Sequence, residues 1–172
     1  MKLVLITLGL FLLASCSHFS SKEVTIGNSL NAHQYKNLYF SGQPGEDDFE
    51  ELKKQGFTHI VNLRRETEYD EREEQKLIKK LGMNYSHHPF PLALKITDEY
   101  VDKVTASVMK HRKDGKTLVH CSTGNRVSIW LGAHFKKDHG QSSETAFETA
   151  EELGLEKEGA KKALKEYLGL DN

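Results

Sequence analysis

Residues 116–135 read Lys-Thr-Leu-Val-His-Cys-Ser-Thr-Gly-Asn-Arg-Val-Ser-Ile-Trp-Leu-Gly-Ala-His-Phe. A short apolar run from Thr117 to His120 gives way to small polar residues, then to apolar residues at helical spacing from Arg126 to about Lys137. That is a strand, a tight loop and a helix. Such a loop gathers backbone N–H groups at a helix N-terminus, where the helix dipole also favours negative charge, so it is a ready anion site. Gly124 can take the positive φ that curls a backbone round a ligand. Arg126 offers a planar fork of donors suited to phosphate or sulfate oxygens. The same field acts on Cys121. A free thiol with a pKa near 8.5 is only about 3% ionised at neutral pH. Lowering it by about three units takes roughly 4 kcal/mol of preferential stabilisation of the anion. Several amides, one guanidinium and a helix N-terminus can supply that. Cys121 is therefore a candidate nucleophile, with Ser122, Thr123, Gly124, Asn125 and Arg126 as its anion cradle.

On the N-terminal side of this unit the alternation of strand and helix recurs. Residues 37–42 read as a strand, and Phe49 and Leu52 lie at helical spacing within 46–55 before the stop at Gly56. Residues 57–63 are a β-branched strand ending in Arg64-Arg65, 68–81 a charged helix, and 83–88 a short strand closed by Pro89 and Pro91. Thr97 or Asp98 can cap a helix reaching about Arg112. After the loop come helices at roughly 143–153 and 156–168. This order predicts one α/β domain, a mostly parallel central sheet of four to five strands flanked by helices. Ligands are expected where its strands end and helices begin. Trp130 belongs to the core, and Arg65 to the solvated surface. Arg64 and Glu68 either pair beneath the loop or Arg64 extends the anion pocket.

The chain has 172 residues, 37% of them apolar, with a formal charge of −1. That supports one domain able to bury a core without disulfides, and it lacks the basic excess that nucleic acid demands. None of the nine histidines falls in an HExxH or comparable ligand spacing, so no metal site is predicted. The first fifteen residues, one early lysine and an apolar run, have the form of an export signal. Leu13-Ala14-Ser15-Cys16 resembles the bacterial lipobox. That resemblance implies a lipid on Cys16 and attachment to a membrane, and Ser17 after it implies the periplasmic face of the outer membrane. Residues 16–36 are expected to be a polar tether, and 37–172 the folded domain. With Cys16 lipidated, Cys121 is left without a disulfide partner.

The run His120-Cys121-Ser122-Thr123-Gly124-Asn125-Arg126 resembles the signature loop of the cysteine-dependent phosphatases, the protein tyrosine and dual-specificity phosphatase superfamily. Tyr39 to Pro44, the Gly56-Phe57 turn, Ile60 to Arg64 with Glu68, and Ala146 to Leu155 extend the likeness over roughly 37–156. Together they are similar to a bacterial branch, the phosphatase-like domain sometimes fused to metallo-β-lactamase-type hydrolases. The resemblance implies a phosphomonoester hydrolase in which Cys121 attacks phosphorus. Arg126 and the amides of 122–126 hold the equatorial oxygens, and His120 orients the loop. A cysteinyl-phosphate is then hydrolysed by water. It implies no metal or organic cofactor, and a phosphorylated protein or small phosphomonoester as substrate.

Two departures bear on that expectation. Four residues separate Cys121 from Arg126 where most of the superfamily has five, and Val127 stands where a hydroxyl residue usually supports the thiolate, Ser128 coming one place late. The superfamily also places an acidic proton donor about thirty residues before the nucleophile. Here that neighbourhood holds His87 and His88, with no carboxylate until Asp98. Asp98 and His88 are the candidate acids. The short loop also admits a rhodanese-type sulfurtransferase carrying a Cys121 persulfide. A third alternative is a non-catalytic module that binds phosphoanions or a partner.

Overall fold

The computed structural model describes residues 21–68 and 71–170; the expected leader, Cys16 and the first residues of the expected tether lie outside them. In chain order the strands and helices are β1 (Lys22–Ile26), β2 (Leu30–Tyr35), β3 (Leu38–Ser41), α1 (Glu46–Lys54), β4 (Phe57–Asn62), α2 (Glu71–Lys80), β5 (Asn84–His87), α3 (Asp98–Lys110), β6 (Lys116–His120), α4 (Asn125–His139), α5 (Ser143–Glu152) and α6 (Glu158–Leu168). Short 3-10 turns occupy Glu66–Glu68 and Leu92–Leu94.

The strands form one sheet in the order β1-β2-β3-β6-β4-β5. β3, β6, β4 and β5 run parallel, while β1 and β2 add an antiparallel hairpin at the β3 edge. The expected α/β class is therefore present, with six strands rather than four to five. The extra two come from residues assigned to the tether. Val24 and Ile26, then Leu30 and Ala32, alternate on either side of a turn opened by Gly27, and Ile26 and Ala32 are buried. Polar residues between them masked the period-2 pattern, but one apolar face is enough to dock a hairpin against a sheet edge.

Successive residues of the central strands feed two cores. Ile60 and Leu118 pack against Phe49 and Leu52 of α1 and Ile78 of α2. Val61 and Val119 pack into the larger core under α3 to α6, with Val101, Val104, Trp130 and Leu164. Helices thus cover both faces, as a parallel sheet requires. On one face α4 and α6 lie so close that a Cβ on Gly132 would fall 2.6 Å from Leu164 Cδ2. Helix α3 starts at the expected place, with the Thr97 hydroxyl accepting from the Tyr100 N–H at 3.3 Å; Thr97, not Asp98, is the cap.

Candidate active site

β6 lies between β3 and β4, and its last residue, His120, is in register with Ser41 and Asn62. Three segments therefore leave the same edge side by side, and hydrogen bonds hold them together. The Cys121 N–H donates to Ser41 O (3.4 Å), the Gln43 N–H to Ser122 O (3.2 Å), and the Leu63 N–H to His120 O (2.9 Å). Cys121 is buried at 1% exposure, and the Gly124 N–H donates to its sulfur at 3.2 Å. That inward amide depends on φ = +88° at Gly124, which caps α4 and which a side chain would strain. Asn125 and Arg126 open α4, in the turn whose N–H groups have no intrahelical carbonyl to meet.

Arg126 closes the cup, and it is not alone there. Its Nη1 and Nη2 donate to the two oxygens of Glu68 at 2.5 and 2.7 Å, and Nη2 also donates to Ser122 Oγ at 2.8 Å. Ser122 Oγ in turn donates to Glu68 Oε2 at 2.7 Å. The Arg126 hydrogen bond holds the Glu68 carboxyl down at about 2, with Ser122 assisting against the opposing effect of burial. Burial works against the charge of Arg126, but Glu68 and the Cys121 sulfur outweigh it and push that guanidinium's pKa up. Arg64 supports the turn that presents Glu68. Its Nη2 donates to Glu68 O and its Nη1 to Gln43 Oε1, both at 2.8 Å, and its Nε lies 3.9 Å from Glu68 Oε2. Arg65 also differs from expectation: half-buried, it donates to the carbonyls of Phe90 and Pro91 at 3.1 and 3.0 Å.

A second carboxylate near this edge of the sheet, Glu74 of α2, is buried. Its oxygens accept from Asn62 Nδ2 (2.6 Å), Gln43 Nε2 (2.7 Å) and Tyr85 OH (3.2 Å), and Oε1 stands 3.5 Å from Nε2 of the wholly buried His120. Burial alone would raise its pKa. The approach of His120, followed by the hydrogen bonds from Gln43 and Asn62, reverses this and holds it at about 2.

The remaining predicted residues separate into those at the cup and those away from it. Ser122 and Gly124 are at it, and Thr123 between them forms an isolated β-bridge with Gly42. Asn125 starts α4, but its side chain is structural, Oδ1 accepting from the N–H groups of Glu156 and Lys157 at 3.0 and 2.8 Å. Ser128 does not serve the sulfur; its hydroxyl donates to Leu153 O at 2.7 Å. Asp98 is exposed at the start of α3 and accepts from Tyr167 OH at 2.6 Å. His88 is half-buried with both ring nitrogens lacking a hydrogen-bond partner, and burial, then Lys103 and His87, lower its pKa. Among the described residues, no hydrogen bond joins Asp98 or His88 to Cys121 or Arg126, and no cluster of three or more His, Cys, Asp or Glu could hold a metal ion.

No family model matches the chain. A beta-lactamase hydrolase-like protein of Xylella fastidiosa is 29% identical over 94 residues, which is 52% of this chain; the chain spans only about a fifth (21%) of that relative's length. Among solved structures, a candidate phosphatase (DUF442) of Shewanella putrefaciens CN-32 is 27% identical with a TM-score of 0.59, covering 79% of this chain and 87% of the other. A cysteine-to-serine form of P. aeruginosa TpbA in complex with phosphotyrosine is 17% identical with a TM-score of 0.68, covering 90% and 91%. Kinase-associated phosphatase with its catalytic-site cysteine replaced by serine is 18% identical with a TM-score of 0.61, covering 78% and 89%. The latter two share the fold.

Proposed function

We propose that the protein is a phosphomonoester hydrolase that works through a cysteinyl-phosphate on Cys121. The carrying observation is the convergence of the Cys121 sulfur, the Gly124 amide and the Arg126 guanidinium at the first turn of α4. A dianionic phosphoryl group spreads its charge over three oxygens, so catalysis is mostly positioning and electrostatic stabilisation. The first-turn amides and Arg126 supply the donors. Sulfur attacks phosphorus, the P–O bond to the alcohol or phenol breaks with its electron pair leaving on oxygen, and water then displaces the thiolate to release phosphate. The bound phosphotyrosine in TpbA and the catalytic-site cysteine of kinase-associated phosphatase support this reading.

Glu68, ionised at neutral pH, is no proton donor for the leaving oxygen, and among the described residues neither Asp98 nor His88 hydrogen-bonds to Cys121 or Arg126. The enzyme is accordingly expected to prefer aryl phosphates, whose oxygen leaves without help, to alkyl phosphates. Asp98→Asn and His88→Gln should each retain turnover of p-nitrophenyl phosphate within about tenfold, because loss of a working general acid costs 10²-fold or more. A larger loss assigns that residue as the acid.

The decisive assay is phosphate release from an aryl phosphate by the wild type and by Cys121→Ser. Release abolished by the substitution is expected. Thiocyanate formed from thiosulfate and cyanide, with no phosphate released, would establish the sulfurtransferase instead. We further propose, from Leu13 to Cys16, that a lipid on Cys16 holds the enzyme at the periplasmic face of the outer membrane. Incorporation of labelled palmitate should be lost in Cys16→Ser.

A further inference from the structure

At the end of the sheet opposite the cup, β3 and β6 begin side by side at Leu38 and Thr117. There β3, α3 and α4 enclose a cavity of about 350 Å³, the size of a small-molecule pocket. Leu38, Val108, Leu131 and Phe135 give it apolar walls. Met109 also lines it and is 43% exposed, one of two large apolar side chains left exposed among the described residues. Two polar groups interrupt this lining. Trp130 is 2% exposed, and its buried Nε1–H meets no acceptor. The buried Oε1 of Gln141 meets no donor; a half-turn of that amide puts Nε2 in its place and makes a second donor. Burying such groups without a partner is costly. The charge is one-sided too. Lys36 and Arg112 line the cavity from exposed positions, and among the described residues neither makes an ion pair. Lys36 stands over the Tyr35 ring at 5.1 Å. His134 and His139 line the cavity as well, and none of its lining residues is a carboxylate. Asp138 and Asp102, on the same two helices, are held by His134 and Lys137.

We propose that this cavity binds a small amphiphilic carboxylate, an apolar body with one anionic head. The body covers the apolar walls and Met109. The head supplies the acceptor that the Trp130 N–H lacks and the negative charge that Lys36 and Arg112 call for. An alcohol of the same length offers the body without the charge, and acetate offers the charge without the body. Hydrogen bonds to an ionised acceptor are stronger than neutral ones, so the acid binds more tightly than the alcohol. The site is independent of the chemistry at Cys121: α4 begins at the cup with Asn125 and Arg126 and ends at the cavity with His139.

Trp130 is the chain's one tryptophan, so its indole N–H gives a single ¹H–¹⁵N cross-peak. The test is a titration of ¹⁵N-labelled protein with octanoate, octanol and acetate. Octanoate should move that cross-peak downfield and saturate, octanol should bind more weakly, and acetate should leave it in place. Lys36→Gln combined with Arg112→Gln changes two exposed side chains and should weaken octanoate by about fivefold, the scale of exposed charge pairs, with octanol unaffected. A cross-peak that octanoate leaves in place means that water alone serves the indole, and it overturns the proposal. Octanol binding as tightly as octanoate also overturns it, as does a double variant that holds octanoate as tightly as the wild type. The comparison of octanoate with octanol needs no variant, so the proposal stays open to refutation even if the double variant does not fold.

Discussion

Glu68 takes one donor from each terminal nitrogen of Arg126 and the hydroxyl of Ser122, presenting the guanidinium in one orientation. A free arginine would forfeit rotamer freedom on binding a phosphoryl group; one already fixed forfeits less. Glu68→Ala should therefore lower kcat/KM for an aryl phosphate by about tenfold, equivalent to roughly 1.4 kcal/mol. A rise in kcat/KM would mean that Glu68 competes with substrate for Arg126. At this scale the candidate nucleophile and its loop were legible as a unit because they are contiguous from Cys121 to Arg126. Glu68 was read only as a partner of Arg64; its pairing with Arg126, and the place of Glu74, were not legible. Glu68 stands 58 residues from Arg126, and Glu74 looks like any other acid on a charged helix until the ends of β3, β4, β5 and β6 are brought together.

Among the elements, β4 carries a buried histidine as well as core residues. His59 Nε2 lies 2.9 Å from Ser86 Oγ, and the ring meets His111 edge-on with centroids 4.5 Å apart. Burial, then the charges of His111, His88 and Lys110, lower its pKa from 6.5 to about 4. The unfolded chain then binds more protons between those values, so this stability is full above pH 6.5 and is lost as pH falls through about 4. Chemical denaturation across that range should show a decline on the order of 3 kcal/mol. His59→Gln should flatten it; an equal decline in the variant would place the cause elsewhere. In the contact between α4 and α6, Gly132→Ala drives a methyl into Leu164 and should cost about 1–3 kcal/mol by overpacking, read as a lowered Tm. Helices with caps and apolar stripes were legible to within a few residues. The β1–β2 hairpin was not, because charged and amide residues between its four apolar positions gave it the composition of a tether.

For the whole molecule the consequence is a domain boundary earlier than 37. A chain starting at residue 37 uncovers the β3 edge and loses buried Ile26 and Ala32. Each large apolar side chain returned to water costs about 1.5–3 kcal/mol. Such a chain should melt lower, and aggregate more, than one starting at residue 21; equal melting would make the hairpin an ornament. Acid should act in a second window. Glu68 and Glu74 are both held at about 2 against an ordinary 4.5. Their contribution is complete above pH 4.5 and disappears as pH falls through about 2.

The proposed hydrolase requires a covalent bond between Cys121 and phosphorus. Mass spectrometry of the protein quenched in acid during turnover of an aryl phosphate reads that bond directly. One phosphoryl group on the peptide bearing Cys121, absent from Cys121→Ser, is the predicted result; phosphate released with that peptide unmodified throughout turnover would contradict it.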